Sequence, residues 1–278
     1  MNNILHYYKI EKPDFSVDII LCYYLLMQKL DPNNYYIKEG YKSQNKNFNI
    51  SENRDTEYWS RGRLQMNLLF QHDVYIYAKE IIRRYQIESV ADVGCGVAEK
   101  MMKHIYPVAK KTVGIDMEYP ISIAKKIYPI NANNFLADNF ENSKDLHDNK
   151  FDLVICSDVI EHIFNPDLLL EYLKSLGTES TYFIISTPER DLHRGFDCME
   201  SQKKEHVREW NENELRTYLE NNGFAAQEQF TVSFIKKSFT NLRALKTYNN
   251  ALKSKGTTKT TQVILCKLHE NTAKHHEG

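Results

Sequence analysis

The segment Ala91-Asp92-Val93-Gly94-Cys95-Gly96 constrains the fold of this chain more than any other. A short apolar strand beginning at Ser89 runs into an Asp-x-Gly-x-Gly turn, and residues 100–105 then present an apolar helical face. A strand that enters a glycine turn and continues as a helix builds a ligand site at the helix N-terminus. A lone Gly-x-Gly is a weak signal, so the interpretation depends on the segments that follow.

Further apolar runs predict a parallel sheet that is covered on both faces. Such runs alternate with helical patterns, which is typical of strands buried on both sides. They span residues 111–116, 135–138, 151–158 and 182–188. The first three end in an acid, and ligands of such sheets bind at the carboxyl ends of the strands. Asp116 follows Gly94 by 22 positions, where a ribose-binding acid is expected.

Charge argues against a cofactor that carries phosphate. Glu99 stands where a dinucleotide fingerprint has its last glycine, and its carboxylate would oppose a pyrophosphate. No Gly-Lys-Ser or Gly-Lys-Thr follows the turn, which excludes a P-loop. S-adenosylmethionine carries a ribose, an adenine and a sulfonium but no phosphate. Asp92, Asp116 and Asp138 can therefore bind its hydroxyls and amines, and we expect this cofactor.

Together these motifs resemble the class I S-adenosylmethionine-dependent methyltransferases, over roughly residues 57 to 268. The matching segments are 92–96, 114–116, 137–140 and 151–162. The resemblance implies a Rossmann-like α/β fold, with a seven-stranded, mostly parallel sheet, helices on both faces and an antiparallel last strand.

The resemblance also assigns a cofactor site residue by residue. It implies that Gly94 and Gly96 approach the methionyl group, that Asp116 binds the ribose hydroxyls and that Asp138 binds the adenine amine. The full set that it implies is Tyr58, Arg63, Asp92, Gly94, Cys95, Gly96, Asp116, Met117, Asp138, Asn139, Ser157 and Asp158. Ala98 replaces a third glycine of the family, and we expect the turn to survive with a backbone that avoids positive φ.

The acceptor is expected to be small and polar. The chain is similar to small-molecule and sugar O-methyltransferases, some of which modify bacterial surface polysaccharides, including the formation of an O-methyl phosphoramidate group. This similarity implies a sugar, phosphate or nucleotide-linked acceptor, which is anionic in some of these cases. The alternatives are a nucleic-acid or protein methyltransferase and a cofactor-binding scaffold without turnover.

Nucleic acid is disfavoured as a partner. The segment Ser157-Asp158-Val159-Ile160 stands where methyltransferases of nucleic-acid amino groups usually have Asp-Pro-Pro-Tyr or Asn-Pro-Pro-Tyr. The formal net charge of −1 supplies no basic field, and no basic stacking platform is evident.

Two histidines are candidates for the general base that an alcohol acceptor needs. His162 follows the fourth strand, although a Glu-His pair there also serves to brace the loop. His206 lies at the end of the long charged loop after the fifth strand, where Arg190, Arg194 or Arg208 is expected to clamp a phosphate or carboxylate. The alternative is a solvated loop, because acids nearly balance its charge.

No metal site is predicted. His162, His193 and His206 are far apart in sequence and lack ligand spacing. Magnesium bound through Asp158 is the alternative that we keep open.

We expect a methyltransferase domain at 57–270, with insertions near 190–210 and 236–258. An extension (1–56) precedes this domain and a tail (271–278) follows it. The extension is predicted to hold a helix from Phe15 to Leu30 and to act as a lid, as a dimer arm that permits an oligomer, or as a loose terminus. Tyr58, Trp59 and Arg63 are expected to close over the methionyl carboxylate; alternatively, Trp59 simply packs and the arginines are solvated.

A cytoplasmic location is expected. The five cysteines contain no Cys-x-x-Cys pair, which fits a reducing compartment. The most apolar N-terminal run, 17–30, is interrupted by charges and is too short for a membrane span. Acidic residues precede it and no small-residue cleavage site follows, so it does not match a signal peptide.

Overall fold

The computed structural model describes residues 29–44, 59–140 and 149–269. Residues 15–28 of the helix predicted from Phe15 to Leu30 lie outside these ranges, as do Tyr58 and the tail. Leu30 is described and is not helical, so the predicted end of that helix is wrong. It belongs to β1 (Leu30–Asp31), which pairs antiparallel with β2 (Ile37–Lys38). The side chain of Asp31 accepts from the backbone N–H of Asn33 and caps a tight turn, so the chain reverses here.

A seven-stranded sheet forms the centre of the molecule. Its strands are β3 (Ser89–Val93), β4 (Lys111–Asp116), β5 (Phe135–Ala137), β6 (Leu153–Ser157), β7 (Tyr182–Pro188), β8 (Phe224–Ser233) and β9 (Lys259–Leu268). Their spatial order is β5-β4-β3-β6-β7-β9-β8, and β9 runs antiparallel to both of its neighbours. The predicted mostly parallel sheet with an antiparallel last strand is confirmed.

Helices cover both faces of this sheet. They are α1 (Arg61–Asn67), α2 (His72–Tyr85), α3 (Glu118–Ile127), α4 (Pro166–Ser175), α5 (Arg190–Arg194), α6 (Glu212–Asn221) and α7 (Leu242–Lys255). A π-helix (Met101–Ile105) follows the glycine turn, and 3-10 turns span Pro32–Asn34, Pro129–Asn134 and Ile160–His162. Side-chain caps at Asn165, Asn211 and Asn241 begin α4, α6 and α7.

Two apolar cores lie on opposite faces of the sheet. Leu169 and Leu173 of α4 and Leu215 of α6 belong to one core. Ile81 of α2 and Ile121 of α3 belong to the other. The strands are apolar on both faces because each face is buried by one of these layers. Because β3, β4, β5 and β6 are parallel, their carboxyl ends, with the acids predicted there, lie on the same side of the sheet.

Part of the N-terminal extension packs on the domain. Ile37 and Tyr41 are buried in the core that contains α4 and α6. The main-chain oxygen of Tyr35 accepts from Nε1 of Trp210, and the hydroxyl of Tyr41 accepts from the backbone N–H of Glu209. Residues 29–44 therefore brace the segment that carries His206. Within the described ranges, no helix is both long and apolar enough to cross a membrane.

Candidate active site

The glycine turn after β3 has a backbone that requires its glycines. Gly94 and Gly96 have φ angles of +77° and +60°, in the left-handed region. A Cβ atom on Gly94 would lie 2.2 Å from Cγ2 of Val159, and one on Gly96 would lie 2.5 Å from the ring of Trp59. Both positions therefore require a residue without a side chain.

Ala98 corrects the expectation that the backbone there avoids positive φ. Its φ angle is +61°, and its side chain is fully buried. The turn thus holds an alanine in the left-handed region where the resembled family often has a glycine, at a strain cost of about 1–2 kcal/mol.

Internal acceptors satisfy the amides of the turn. The N–H groups of Gly94 and Cys95 donate to the main-chain oxygen of Ile115 at 2.8 and 3.2 Å. The N–H of Gly96 donates to Oδ2 of Asp116 at 2.6 Å. A pyrophosphate site needs amides that point at the anion. The geometry therefore agrees with a nucleoside cofactor that lacks phosphate.

Asp116 lies at the end of β4, half-buried beside the turn. Its Oδ1 atom accepts from the N–H of Met117 at 2.7 Å. Burial raises the pKa of this carboxyl to about 6, against the opposing effect of the Gly96 and Met117 amides. Each carboxylate oxygen has a second lone pair, so the group can also accept from ribose hydroxyls.

Asp92 and Asp138 have contacts inside the protein. Both oxygens of Asp92 accept from the hydroxyl of Tyr75, at 3.0 and 2.9 Å, and the side chain is fully buried. Asp92 thus lies beneath the turn. Asp138 accepts from the hydroxyl of Tyr172 at 3.1 Å and from the N–H of Asn139 at 2.8 Å. Its predicted contact with adenine stays a prediction.

The other residues assigned to the cofactor site differ in exposure. The sulfur of Cys95 packs towards Gly114, so only its backbone lines the turn. Ser157 is buried, with its Oγ 2.8 Å from that of Ser186. Asn139 and Arg63 are exposed, and the guanidinium of Arg63 lies 6.0 Å from the ring centroid of Trp59. Trp59 contacts the turn at Gly96, as a closing residue would.

Asp158 and Gln71 are both in strained conformations and contact each other. Their φ angles are +54° and +51°, and Nε2 of Gln71 donates to Oδ2 of Asp158 at 2.7 Å. Oγ of Ser186 donates to Oδ1 of Asp158 at 3.1 Å. A left-handed conformation of a residue other than glycine costs of order 1–3 kcal/mol, and such conformations cluster at functional sites. Asp158 is thereby fixed at the carboxyl end of β6.

Glu161, His162 and His206 come together beside this strand end. A ligand atom of each lies within 4.8 Å of the others, and the two imidazole centroids are 4.8 Å apart. Glu161 is 1% exposed and its Oε2 accepts from the hydroxyl of Thr187 at 2.9 Å. Burial, together with the charge of Asp158, raises the pKa of Glu161 well above its ordinary value. A cation in the cluster would stabilise this buried carboxylate.

The tautomers of both histidines follow from their Nδ1 partners. Nδ1 of His162 lies 2.8 Å from the main-chain oxygen of Glu205, so it carries the proton. Nδ1 of His206 lies 2.5 Å from Oε1 of Glu209. Glu209 is anionic: burial raises its pKa, but the bonds from His206 and Arg194 outweigh burial and hold the pKa below its ordinary value. Both imidazoles therefore have Nε2 as the nitrogen that can bind a metal or accept a proton.

This cluster corrects the expectation that the separation of His162 and His206 in sequence keeps them from sharing a metal ion. The fold places the 3-10 turn after β6 beside residues 205–209, which brings the two side chains together. His193 is elsewhere, with Nδ1 near the hydroxyl of Thr260 and Nζ of Lys255.

The arginines do not form the expected anion clamp. Arg208 is buried, donates to the main-chain oxygens of Ile163 and Phe164, and stacks on Tyr35 at 4.2 Å. Arg190 is fully buried and binds Glu214 with two nitrogens, at 2.5 and 2.9 Å. The guanidinium groups of Arg190 and Arg208 therefore bind partners inside the protein. The expectation that Arg208 clamps an anion is wrong, and its contacts are structural.

Three residues of this region were missed at the sequence level. Gln71 and Lys100 reach Asp158 and the turn only through tertiary contacts. Glu209 lies three residues after His206, and this i, i+3 spacing of an acid and a histidine was the available signal.

A family model described as a methyltransferase domain matches residues 64–229. A small RNA 2'-O-methyltransferase of Mus musculus is 27% identical over 170 residues, which are 52% of this chain and 40% of that protein. A ubiquinone biosynthesis O-methyltransferase of Shewanella pealeana is 24% identical over 136 residues, 46% of this chain and 52% of that protein. The chain thus spans about half, or less, of the length of these curated relatives.

A solved structure of an S-adenosylmethionine-dependent methyltransferase from Clostridium acetobutylicum has a TM-score of 0.50 to this chain. It is 14% identical, and the match covers 70% of this chain and 90% of that one. At this identity the likeness bears on the fold alone, and it agrees with the strand order described above.

Proposed function

Since the chain belongs to the class I S-adenosylmethionine-dependent methyltransferases, we propose that it transfers the methyl group of this cofactor to a hydroxyl oxygen of a sugar-containing acceptor. We further propose that a divalent cation, held by Glu161, His162 and His206, assists the transfer. The observation that carries the proposal is the convergence of these three side chains beside the end of β6.

The residues at the strand ends fit the cofactor. Asp116 offers a carboxylate beside a turn whose amides are already satisfied. Trp59 lies over Gly96 and would close the site against water. Methyl transfer from a sulfonium is an in-line displacement, so the protein chiefly holds the acceptor oxygen about 3–3.5 Å from the methyl carbon.

The acid and the two histidines suit a divalent cation. A bound cation of this kind would lower the pKa of the acceptor hydroxyl and orient it. Glu161 supplies the negative charge, and the Nε2 atoms of His162 and His206 supply neutral donors. Glu209 and the main-chain oxygen of Glu205 fix the two rings through Nδ1, as second partners of metal-binding histidines do.

The acceptor is proposed to be a neutral vicinal diol. Both curated relatives are named as O-methyltransferases, and two neighbouring hydroxyls can share one cation. Arg190 and Arg208 are engaged with internal partners, which favours a neutral sugar hydroxyl over an anionic oxygen. Sugar-linked metabolites of surface-polysaccharide synthesis belong to this class.

A ribose 2'-hydroxyl at the end of an RNA is the second candidate. It is favoured by the similarity to small RNA 2'-O-methyltransferases, and it also has a neighbouring hydroxyl. A second mechanism for either acceptor needs no metal: His206, oriented by Glu209, accepts the hydroxyl proton at Nε2.

The test is methyl transfer from labelled S-adenosylmethionine to nucleotide sugars, catechols, and short RNAs ending in a 2',3'-diol or a 2'-deoxyribose. We expect transfer to a sugar diol, loss of transfer with a chelator, and recovery with Mg²⁺ or Mn²⁺. Glu161→Gln should abolish recovery, whereas His193→Gln, outside the cluster, should not.

Each alternative gives a different result. Transfer that persists in chelator would contradict the cation and leave His206 as the base. Transfer to the RNA diol but not to free sugars would replace the first acceptor class by the second.

A further inference from the structure

Lys100 is a buried lysine whose side-chain acceptors, within the described part of the chain, are neutral amides. It lies directly before the π-helix that follows the glycine turn and is 8% exposed. Its Nζ donates to Oε1 of Gln71 at 3.0 Å and to Oδ1 of Asn67 at 3.3 Å, and both acceptors are neutral amides. An ammonium group has three donors. Among the residues that the structure describes, no carboxylate lies within ion-pair distance of it.

The other buried cations of the described ranges are different. Each donates to a carboxylate or a main-chain oxygen, as shown by Lys38, Arg190 and Arg208. Burying a charge is costly unless it is paired. The third donor of Lys100 is therefore available for an anion.

The position of Lys100 indicates which anion. The amide of Gln71 links its ammonium to Oδ2 of Asp158, at the end of β6. Burial lowers the pKa of Lys100, and the charges of Asp92 and Asp158 at the strand ends oppose this effect. The ring of Tyr75 lies 5.5 Å from Nζ. The ammonium thus belongs to the strand ends at which the cofactor is proposed to bind.

We propose that Lys100, positioned by Asn67 and Gln71, binds the carboxylate of the methionyl group of S-adenosylmethionine. The inference rests on the cofactor of the proposed function. The methionyl end is a zwitterion: the acids at the strand ends suit its ammonium, and Lys100 supplies the opposite charge.

The experiment is calorimetric titration of the full chain with three ligands. S-adenosylhomocysteine has the carboxylate, its decarboxylated analogue lacks only that group, and 5'-methylthioadenosine lacks the whole amino-acid end. In the unmodified protein, loss of the carboxylate should raise Kd about 10- to 100-fold, the range expected for a charge-assisted hydrogen bond. Lys100→Met should raise the Kd of S-adenosylhomocysteine by the same factor and leave that of 5'-methylthioadenosine within about twofold.

Lys103→Met is the matched control, because Lys103 is exposed on the same helix; it should leave all three Kd values unchanged. Equal binding of S-adenosylhomocysteine and its decarboxylated analogue by the unmodified protein would overturn the inference without any variant. A parallel loss of all three ligands in Lys100→Met would also overturn it, since that result assigns Lys100 to the structure of the turn. Failure of the unmodified protein to bind any of the three would overturn the cofactor assignment itself.

Discussion

His206 and Glu209 form a hydrogen-bonded pair, with Nδ1 of the imidazole 2.5 Å from Oε1 of the carboxylate. Arg194 binds both oxygens of the same carboxylate, at 3.0 and 2.9 Å. The carboxylate therefore fixes the ring and its tautomer, which leaves Nε2 as the ring nitrogen that can act with Glu161 and His162. The proposed role of His206 depends on this contact.

Glu209→Gln should loosen His206 without removing a ligand atom. We expect the affinity for Mn²⁺ to fall about 10- to 100-fold, because outer-shell carboxylates orient metal-binding histidines. Titration calorimetry with Mn²⁺ measures this. Glu212→Gln, at an exposed position on α6, is the control. Equal Mn²⁺ affinity of the folded Glu209→Gln variant and the unmodified protein would contradict the positioning role.

Cofactor binding should weaken at low pH through Asp116. Burial raises the pKa of this carboxyl to about 6, so it is an acceptor above that pH and becomes protonated below it. We expect the Kd of S-adenosylhomocysteine to rise as the pH falls from 7.5 to 5. Asp116→Asn should weaken binding at pH 7.5 and flatten the profile. A profile that keeps its slope in this variant would show that another group titrates.

Ala98 should tolerate glycine but not valine. Its φ of +61° strains any residue with a Cβ, and a β-branched side chain most of all. Ala98→Gly relieves strain but loses a buried methyl group, so a change within about 1 kcal/mol is expected. Ala98→Val should cost more than about 2 kcal/mol. Urea unfolding measures the stability of both variants. Equal stabilities would show that the left-handed backbone at position 98 does not disfavour a β-branched side chain.

The Arg190–Glu214 pair should matter far more than an exposed pair. Both side chains are fully buried, so Arg190→Met leaves an uncompensated carboxylate and should cost about 3–5 kcal/mol. Arg216 and Glu220 form a half-exposed i, i+4 pair on α6, and Arg216→Met should cost less than about 0.5 kcal/mol. Urea unfolding measures the free energy of unfolding of both variants. Similar losses of stability would contradict the expected effect of burial.

Trp59 should report cofactor binding by fluorescence. The chain has two tryptophans, and Trp210 is fully buried against Tyr218. Trp59 contacts the turn at Gly96, so we expect its emission to change when S-adenosylhomocysteine binds. In Trp59→Phe the change should disappear while calorimetry still detects binding. A change that survives in this variant would come from Trp210 and would place Trp59 away from the cofactor.

The sequence by itself determined the sheet and the glycine turn, because both depend on local patterns. Continuous apolar runs mark strands that must be buried on both faces, and Gly94 and Gly96 mark a backbone that side chains disfavour. The acid at the end of β4 followed from these patterns, and the antiparallel last strand followed from the family resemblance.

Only the tertiary structure decided which polar side chains meet. His162 and His206 are 44 positions apart, and the fold places their rings in contact. Arg208 and Lys100 are both cations near predicted strand ends, yet Arg208 donates to main-chain oxygens while Lys100 has a donor left for an anion. A charged side chain looks alike in sequence whether it is buried or solvated. Its role depends on the partners that chain packing brings to it, and those partners are distant in sequence.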